Sequence, residues 1–385
     1  MRNFFARIFF APSNKVSPVG QGNLGNNYQV GDQSTQMSAD DADNLLFIKA
    51  AIEGDIANVI RLLSDERVKI DSTNEFGATA LMLASLKGHS EIVEQLIKAK
   101  ADVDLAKKDG GTALMAASER GHSEIVEQLI KANADVDLAT KAGVTALMVA
   151  SQMGHSEVVE KLISANADVD LATEARVNVD LATEARITAL MLASDRGHFV
   201  VVEKLINANA DVDLAREDGK TALMVASQIG HSKVVEQLIN ANANVDLVLK
   251  EDEKTALILA CEHSHHGIVK QLIDARAKLD MATKSGLTPI FVACEKNKIE
   301  CVEVLLKAGT DPKCLMEDDG KKINSKLEGV SEKMKELIEA IIKKENIKER
   351  DKALAATAEL ITSPRAPRAE ALEQQTQDIQ RTQVR

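Results

Sequence analysis

The triplet Thr-Ala-Leu returns at Thr79, Thr112, Thr145, Thr188, Thr221 and Thr255, and Thr-Pro-Ile follows at Thr288. The steps between these threonines are 33, 33, 43, 33, 34 and 33 residues. Around each stands a near-copy of one phrase, Gly-x-Thr-Ala-Leu-Met-x-Ala-Ser-x-x-Gly-His-Ser-Glu-Ile-Val-Glu-Gln-Leu-Ile-x-Ala-Asn-Ala-Asp-Val-Asp-Leu-Ala. A unit this short cannot cover its own apolar face, so consecutive copies must stack into an array in which each touches only its neighbours. The chain's 385 residues then need no division into separate globular cores.

Within a unit the apolar residues fall at offsets of three and four in two pieces. Ala113, Leu114, Ala116 and Ala117 form one, and Ile125, Val126, Leu129 and Ile130 the other. Each unit therefore reads as a helical hairpin. Between the pieces stand Gly121, His122 and Ser123, where Gly is expected to end the first helix, Ser to cap the second, and Glu124 to suit its positive end. After the second helix comes Asn133, with Asn166, Asn209 and Asn242 at the matching positions, as a left-handed C-terminal cap requires. Lys100 and Arg276 occupy the same slot. The apolar share of 45% comes from Ala, Leu, Ile and Val, with no Trp and one Tyr, so the layers between hairpins are thin.

On these residues the sequence resembles the ankyrin-repeat family, whose unit is a β-turn plus two helices with a Thr-Pro-Leu-His signature. The resemblance implies an all-α solenoid of helix-turn-helix units joined by β-turn fingers. It covers a repeat region placed at 41–315: a degenerate first copy at 44–73, then 74–106, 107–139, 140–172, 173–215, 216–248, 249–282 and 283–315. The first copy has Leu46, Phe47, Ile48, Ala50 and Ala51, then Gly54-Asp55 for Gly-His, then Val59, Ile60, Leu62 and Leu63. In most copies Ala replaces the signature Pro and Met its His, as at Ala80 and Met82, and only Thr288-Pro289 keeps the Pro.

The 43-residue step holds a tandem duplication, Val169 to Arg176 repeated as Val179 to Arg186. Ten extra residues in a surface turn cost little closure entropy, so the helices on either side are expected to stack as usual. Arg186 there stands where Gly143 stands one copy earlier, and near Thr255 one residue is added and Glu253 replaces the turn Gly, so that turn is expected to be rebuilt.

An open repeat exposes an apolar slab, so the ends need covering. The degenerate first copy carries Lys49, Glu53, Asp55, Asn58 and Arg61 among its apolar residues. Residues 316–362 are read as a C-terminal helical cap in which Ser331 starts a helix with Met334, Leu337, Ile338, Ile341 and Ile342 on one face. From Ser363 to Arg385 the Pro, Gln, Thr and Arg content predicts a disordered tail. Residues 1–40 read as a flexible leader with a Phe-rich tip at 1–10, where Phe5, Ile8 and Phe9 share a helical face. That tip supports a second functional reading, a membrane-surface anchor.

The net charge of −12 argues against nucleic acid as a partner. No apolar run reaches the length of a membrane span. Four cysteines, Cys261, Cys294, Cys301 and Cys314, all near one end, point to a reducing interior, and the expected location is intracellular and cytoplasmic. His89, His122, His155, His198 and His231 recur as parts of the Gly-His turn rather than as catalytic groups. Cys261, His263, His265 and His266 have a spacing that suggests zinc, yet His265 is that copy's turn histidine and Cys261 stands at Ser227's slot. No phosphate loop, nucleophile elbow or zinc-protease motif is present, so no catalytic residue, metal or cofactor is assigned and the chain is read as a non-enzyme.

Comparison of the copies with one another singles out two variable sets. One precedes each Gly-His: Leu86-Lys87, Glu119-Arg120, Gln152-Met153, Asp195-Arg196, Gln228-Ile229, Glu262-His263 and Glu295-Lys296. The other forms the turn tips: Glu75-Phe76, Lys108-Asp109, Lys141-Ala142, Glu217-Asp218 and Lys284-Ser285. The family resemblance places both on a concave, partner-facing side. These residues are the candidate contact set for a protein partner, with Phe76, Met153 and Ile229 as its apolar members. The array is expected to act as a monomeric interaction scaffold or adaptor.

Overall fold

The computed structural model describes residues 39–173, 186–317, 322–323, 327, 329–341 and 343–344. The described residues contain eight consecutive helix pairs. The first helices are α1 (Ala39–Glu53), α3 (Ala80–Lys87), α5 (Ala113–Arg120), α7 (Ala146–Met153), α9 (Ala189–Arg196), α11 (Ala222–Ile229), α13 (Ala256–Glu262) and α15 (Pro289–Glu295). The second helices are α2 (Ile56–Leu63), α4 (Ser90–Lys98), α6 (Ser123–Lys131), α8 (Ser156–Ser164), α10 (Phe199–Asn207), α12 (Ser232–Asn240), α14 (His266–Asp274) and α16 (Ile299–Lys307). Each first helix from α3 on packs on the next first helix, and each second helix on the next second helix. The chain is thus a helical solenoid, and its β structure is minor. Single antiparallel bridges close fingers at Thr73–Thr79, Ala139–Thr145 and Ala172–Thr188, and Met316–Glu317 pairs with Lys322–Ile323.

Local chemistry sets the helix ends. The hydroxyls of Thr79, Thr112, Thr145, Thr188, Thr221 and Thr255 each accept a hydrogen bond from the backbone N–H three residues on, at 3.2–3.3 Å. These residues are therefore the N-caps that start the first helices. Gly88, Gly121, Gly154, Gly197 and Gly230 end them in left-handed geometry. At α13 and α15 the same left-handed position is held by Ser264 (φ 71°) and Asn297 (φ 57°). The expected second-helix cap is corrected: His89, His122, His155, His198 and His231 occupy the N-cap position, and the Ser or Phe after each is already helical. At the far end Lys100, Asn133, Asn166, Asn209, Asn242 and Arg276 all have φ between 62° and 72°, as the sequence reading requires.

The two rows bury different amounts of surface. In α3 Ala80, Leu81, Met82, Ala84, Ser85 and Leu86 are buried, because the first helices lie between neighbours and beneath the second row. In α4 only the face of Ile92, Val93 and Leu96 is buried. Met82, Met115, Met148, Met191 and Met224, at the slot of the signature His, are 1–3% exposed and fill the core. The buried hydroxyls of Ser85, Ser118, Ser151, Ser194 and Ser227 have no hydrogen-bond partner among the described residues. The chain places Cys261 and Cys294 in that column instead, both fully buried.

Two ladders tie successive repeats together. The Nε2–H of His89, His155, His198, His231 and His265 donates to the carbonyl oxygen of Ile52, Glu119, Gln152, Asp195 and Gln228 in the preceding repeat, at 3.0–3.1 Å. Each ring lies over the preceding Gly so closely that a Cβ on Gly121 would stand 2.6 Å from His155 Nδ1. The Gly-His pair is thus read across repeats as well as within one. Beyond the second helices the carboxylates of Asp71, Asp104, Asp137, Asp170 and Asp213 accept the backbone N–H of Asp102, Asp135, Asp168, Asp211 and Asn244 in the following repeat, at 2.8–3.1 Å.

The duplication leaves this register intact. Thr173 N–H donates to Ile187 O at 3.0 Å and Arg186 N–H to Thr173 O at 2.9 Å, the pattern Thr140 makes with Val144 and Gly143 one repeat earlier. Arg186 takes the glycine's left-handed conformation at φ 67°. Residues 174–185 lie outside the described residues. The turn before Thr255 is rebuilt as expected, and its form is specific: Glu253 N–H reaches Leu249 O, one residue further than in the ordinary finger, while Glu253 keeps φ 58°.

At the front, Phe47, Ala51, Val59 and Leu62 are buried, but Leu46 and Ile60, read as core, are 42% and 46% exposed. No repeat precedes α1 and α2 among the described residues to cover them. At the back a helix spans 332–341, with Ser331 Oγ accepting Met334 N–H at 3.3 Å and Ser331 N–H donating to Asn297 of the last repeat at 2.7 Å. Met334 and Ile338 are fully buried in the common core. Ala39 and Asp40, read as the end of the leader, already belong to α1, whereas residues 1–38 with the Phe-rich tip, Ile342, the remainder of the expected cap at 345–362 and the expected tail at 363–385 lie outside the described residues.

Candidate interaction surface

The finger tips and the C-terminal ends of the first helices form one continuous surface. Lys254, on the descending side of a finger, reaches Asp252 on that finger at 3.1 Å and Glu262 at the end of α13 at 3.2 Å. Lys220 makes the equivalent span one repeat earlier, donating to Gln228 of α11. The fingers are also joined sideways: Lys141, Lys250 and Lys284 N–H donate to the carbonyls of Asp109, Asp218 and Asp252, each at 2.9 Å.

Within each pair before Gly-His the two residues differ in access. Leu86, Glu119 and Gln152 are 5–6% exposed, so they form the floor rather than the contact layer expected for them. The helix turns about 100° per residue, which sends the next side chain outwards. Lys87, Arg120, Met153, Ile229, His263 and Lys296 are exposed, and Asp195, Arg196, Gln228 and Glu262 are half-buried. Glu295 is exposed. On the fingers Glu75, Phe76, Lys108, Lys141, Glu217, Lys284 and Ser285 are exposed, whereas Asp109, Ala142 and Asp218 are half-buried. Phe76, Met153 and Ile229 are 51%, 46% and 43% exposed.

Sequence comparison missed the residues that brace this surface. Lys107 and Arg216 open their fingers with stems 8% and 9% exposed, pairing with Asp109 at 3.2 Å and Asp218 at 2.8 Å. Lys220 and Lys254 stand where Val144 and Leu287 stand in other repeats. The available signal was a cation in an otherwise apolar position just before the capping Thr. Beside Lys107, Glu119 leaves Oε2 without a hydrogen-bond partner. Burial raises its pKa, although Arg120 and Lys107 pull it down.

The Cys/His group does not converge. Cys261 is buried in the core, His263 Nδ1–H donates to Leu259 O within its own helical end, and His265 Nε2–H to Gln228 O. Among the described residues no group of three or more His, Cys, Asp or Glu side chains is arranged to hold a metal ion. The second-helix row has a shallow depression lined by Glu127, Ile130, Lys131, Glu160 and Lys161, but ion pairs occupy its polar wall. Glu127 bridges Lys131 at 2.5 Å and Lys161 at 2.6 Å, which holds its carboxyl down at about 2. No described helix is long and apolar enough to cross a membrane.

The stacked hairpins and the fingers between them define a helical repeat protein. A family profile described as ankyrin repeats (3 copies) matches at residues 24–106, 46–139, 98–173, 171–248 and 230–315. The chain belongs to the ankyrin-repeat family. Comparison with curated proteins gave no match. Ankyrin repeats generally mediate protein–protein interaction, and proteins built from them are typically non-catalytic scaffolds.

Proposed function

We propose that this protein is an interaction scaffold or adaptor that holds a protein partner in the groove between its fingers and its first-helix ends. One observation carries the reading. Met153 and Ile229, at equivalent ends of α7 and α11, remain about half exposed in an array whose other first-helix apolar residues are almost all buried. Exposed apolar side chains inside a polar rim are what an interface core requires. Part of the groove's polar rim is braced by ion pairs, as Lys254 is with Asp252 and Glu262, Lys107 with Asp109 and Arg216 with Asp218.

Substituting Met153→Glu and Ile229→Glu tests the reading. A partner captured by the full chain is expected to lose at least about tenfold in affinity to the double variant, because two desolvated apolar contacts become buried charges. Unchanged binding by a variant with unchanged thermal stability removes the groove as the site.

A further inference from the structure

Of the eight large apolar side chains exposed among the described residues, four, Met153, Phe199, Val200 and Ile229, lie beside the Gly-His turns of the fourth, fifth and sixth repeats. Met153 and Ile229 end α7 and α11. Phe199 and Val200 open α10, at the place where Ser90-Glu91, Ser123-Glu124 and Ser156-Glu157 stand in the three repeats before it. The four form one strip along the edge opposite the fingers. Met153 and Phe199 flank the contact in which the His198 ring lies against Gly154 and donates to Gln152 O at 3.0 Å. Lys233, on the first turn after Ile229, holds Nζ 4.7 Å from the centre of the Phe199 ring. Phe199 and Val200 are 39% and 42% exposed, so neither fills the core. Glu160, Glu203 and Glu236, exposed one turn further along α8, α10 and α12, bound the strip.

Resting on the reading of Met153 and Ile229 as interface residues, we propose that this edge joins two copies of the chain in an antiparallel homodimer. The strip matches itself when reversed. The fourth and sixth repeats stand one equal step either side of the fifth, since the His198 and His231 contacts are alike at 3.0 and 3.1 Å. A two-fold axis lying across the edge at Val200 therefore sets Phe199 and Val200 against their own copies, and Met153 against Ile229 of the second copy. The same axis sets Lys233 against Glu157, which occupies the matching place in α8. Glu157 is open to it, being 70% exposed with its own-helix cation Lys161 at 3.9 Å. At the axis Arg196 is held by Asp195 at 3.4 Å, so a neutral pair meets its copy there. Copies running the same way would instead bring Glu157 to Glu157 and Lys233 to Lys233. Three repeats at about 8–10 Å per layer and two helices at about 10 Å each make a contact of roughly 1,000–1,200 Å² over both copies, which reaches the lower bound for a specific interface and sets the affinity in the micromolar range. The fingers adjoin the opposite ends of the first helices, so each copy keeps its finger side uncovered.

Sedimentation equilibrium of the full chain tests this, with a monomer–dimer equilibrium of Kd on the order of 10 μM expected. Phe199→Ser with Val200→Glu restores the Ser-Glu of the second to fourth repeats, and is expected to raise Kd at least about tenfold with Tm unchanged. Lys233→Glu and Glu157→Lys are each expected to weaken the dimer at least about threefold, and the two in one chain to restore it, because the pair re-forms with its signs exchanged. A chain that is wholly monomeric at about 100 μM overturns the proposal and leaves the groove reading standing. A dimer that Phe199→Ser with Val200→Glu leaves intact overturns it too, since the copies then meet elsewhere. So do charge reversals that add instead of cancelling, since Lys233 then does not face Glu157. The groove reading fails separately, when a different protein bound by the full chain binds equally well to Met153→Glu with Ile229→Glu at concentrations below the dimer Kd.

Discussion

The Gly-His seam and the finger seam both join successive repeats, yet they tolerate change in opposite ways. Along the first, Gly121 lies so close beneath the ring of His155 that even a Cβ has no room. Along the second, Thr173 closes a finger enlarged by ten residues with the same two backbone hydrogen bonds that Thr140 uses in an ordinary one. A residue is fixed where a side chain of the neighbouring repeat lies directly against it, and free where the chain only has to leave and return.

The sharpest way to break this contrast is at the tight seam. Gly121→Ala adds a side chain at φ 73°, where left-handed geometry costs about 1–2 kcal/mol, and pushes His155 off its carbonyl. A loss of at least about 2 kcal/mol in urea denaturation is expected. A loss below about 0.5 kcal/mol shows that the ring moves aside freely and that the seam is not tight. Where the left-handed position is open to solvent, the sign reverses. Lys100→Gly at φ 72° is expected to stabilise by up to about 1 kcal/mol, read as a raised Tm, because the strained side chain is removed without any contact being lost.

Deleting Val169 to Asn178 regenerates an ordinary finger, because the duplicated segments are identical. With the finger base already closed, the expected gain is about 1 kcal/mol or less from the shorter loop. A loss of stability in the same assay makes the inserted residues part of the packing and ends the contrast. The smallest effect concerns pH. Burial, followed by the charge of Arg196, holds the His198 imidazole below its ordinary 6.5 despite the hydrogen bond to Gln152. Its neutral form is therefore favoured by folding, so its contribution is complete above 6.5 and declines as pH falls through the lowered value. His198→Gln is expected to flatten the stability profile below pH 6.5, and a slope identical to that of the parent removes His198 from the linkage.

Much of the fold could be read before any coordinates. The spacing of Thr79, Thr112 and Thr145 gave the hairpin period, and Asn133, Lys100 and Arg276 marked left-handed caps that the backbone adopts. These are local matters, decided by a residue and its neighbours in the chain. Less of the interaction surface was legible. Variation between copies marked Glu119 and Gln152 together with Arg120 and Met153, although only the latter two reach solvent. Lys107 and Arg216 escaped notice because each is buried and paired with a carboxylate two residues on, Asp109 and Asp218, only once its finger has folded.

By itself the sequence determined the repeating unit, because apolar offsets of three and four, a capping Thr and a left-handed Asn act within one hairpin. Only the tertiary structure decided what each histidine is for, why Gly must precede it, and that a finger lengthened at Thr173 leaves Asp170 in reach of Asp211 at 2.9 Å. Those contacts join atoms separated by 33 or more residues, and their geometry exists only once neighbouring hairpins have stacked.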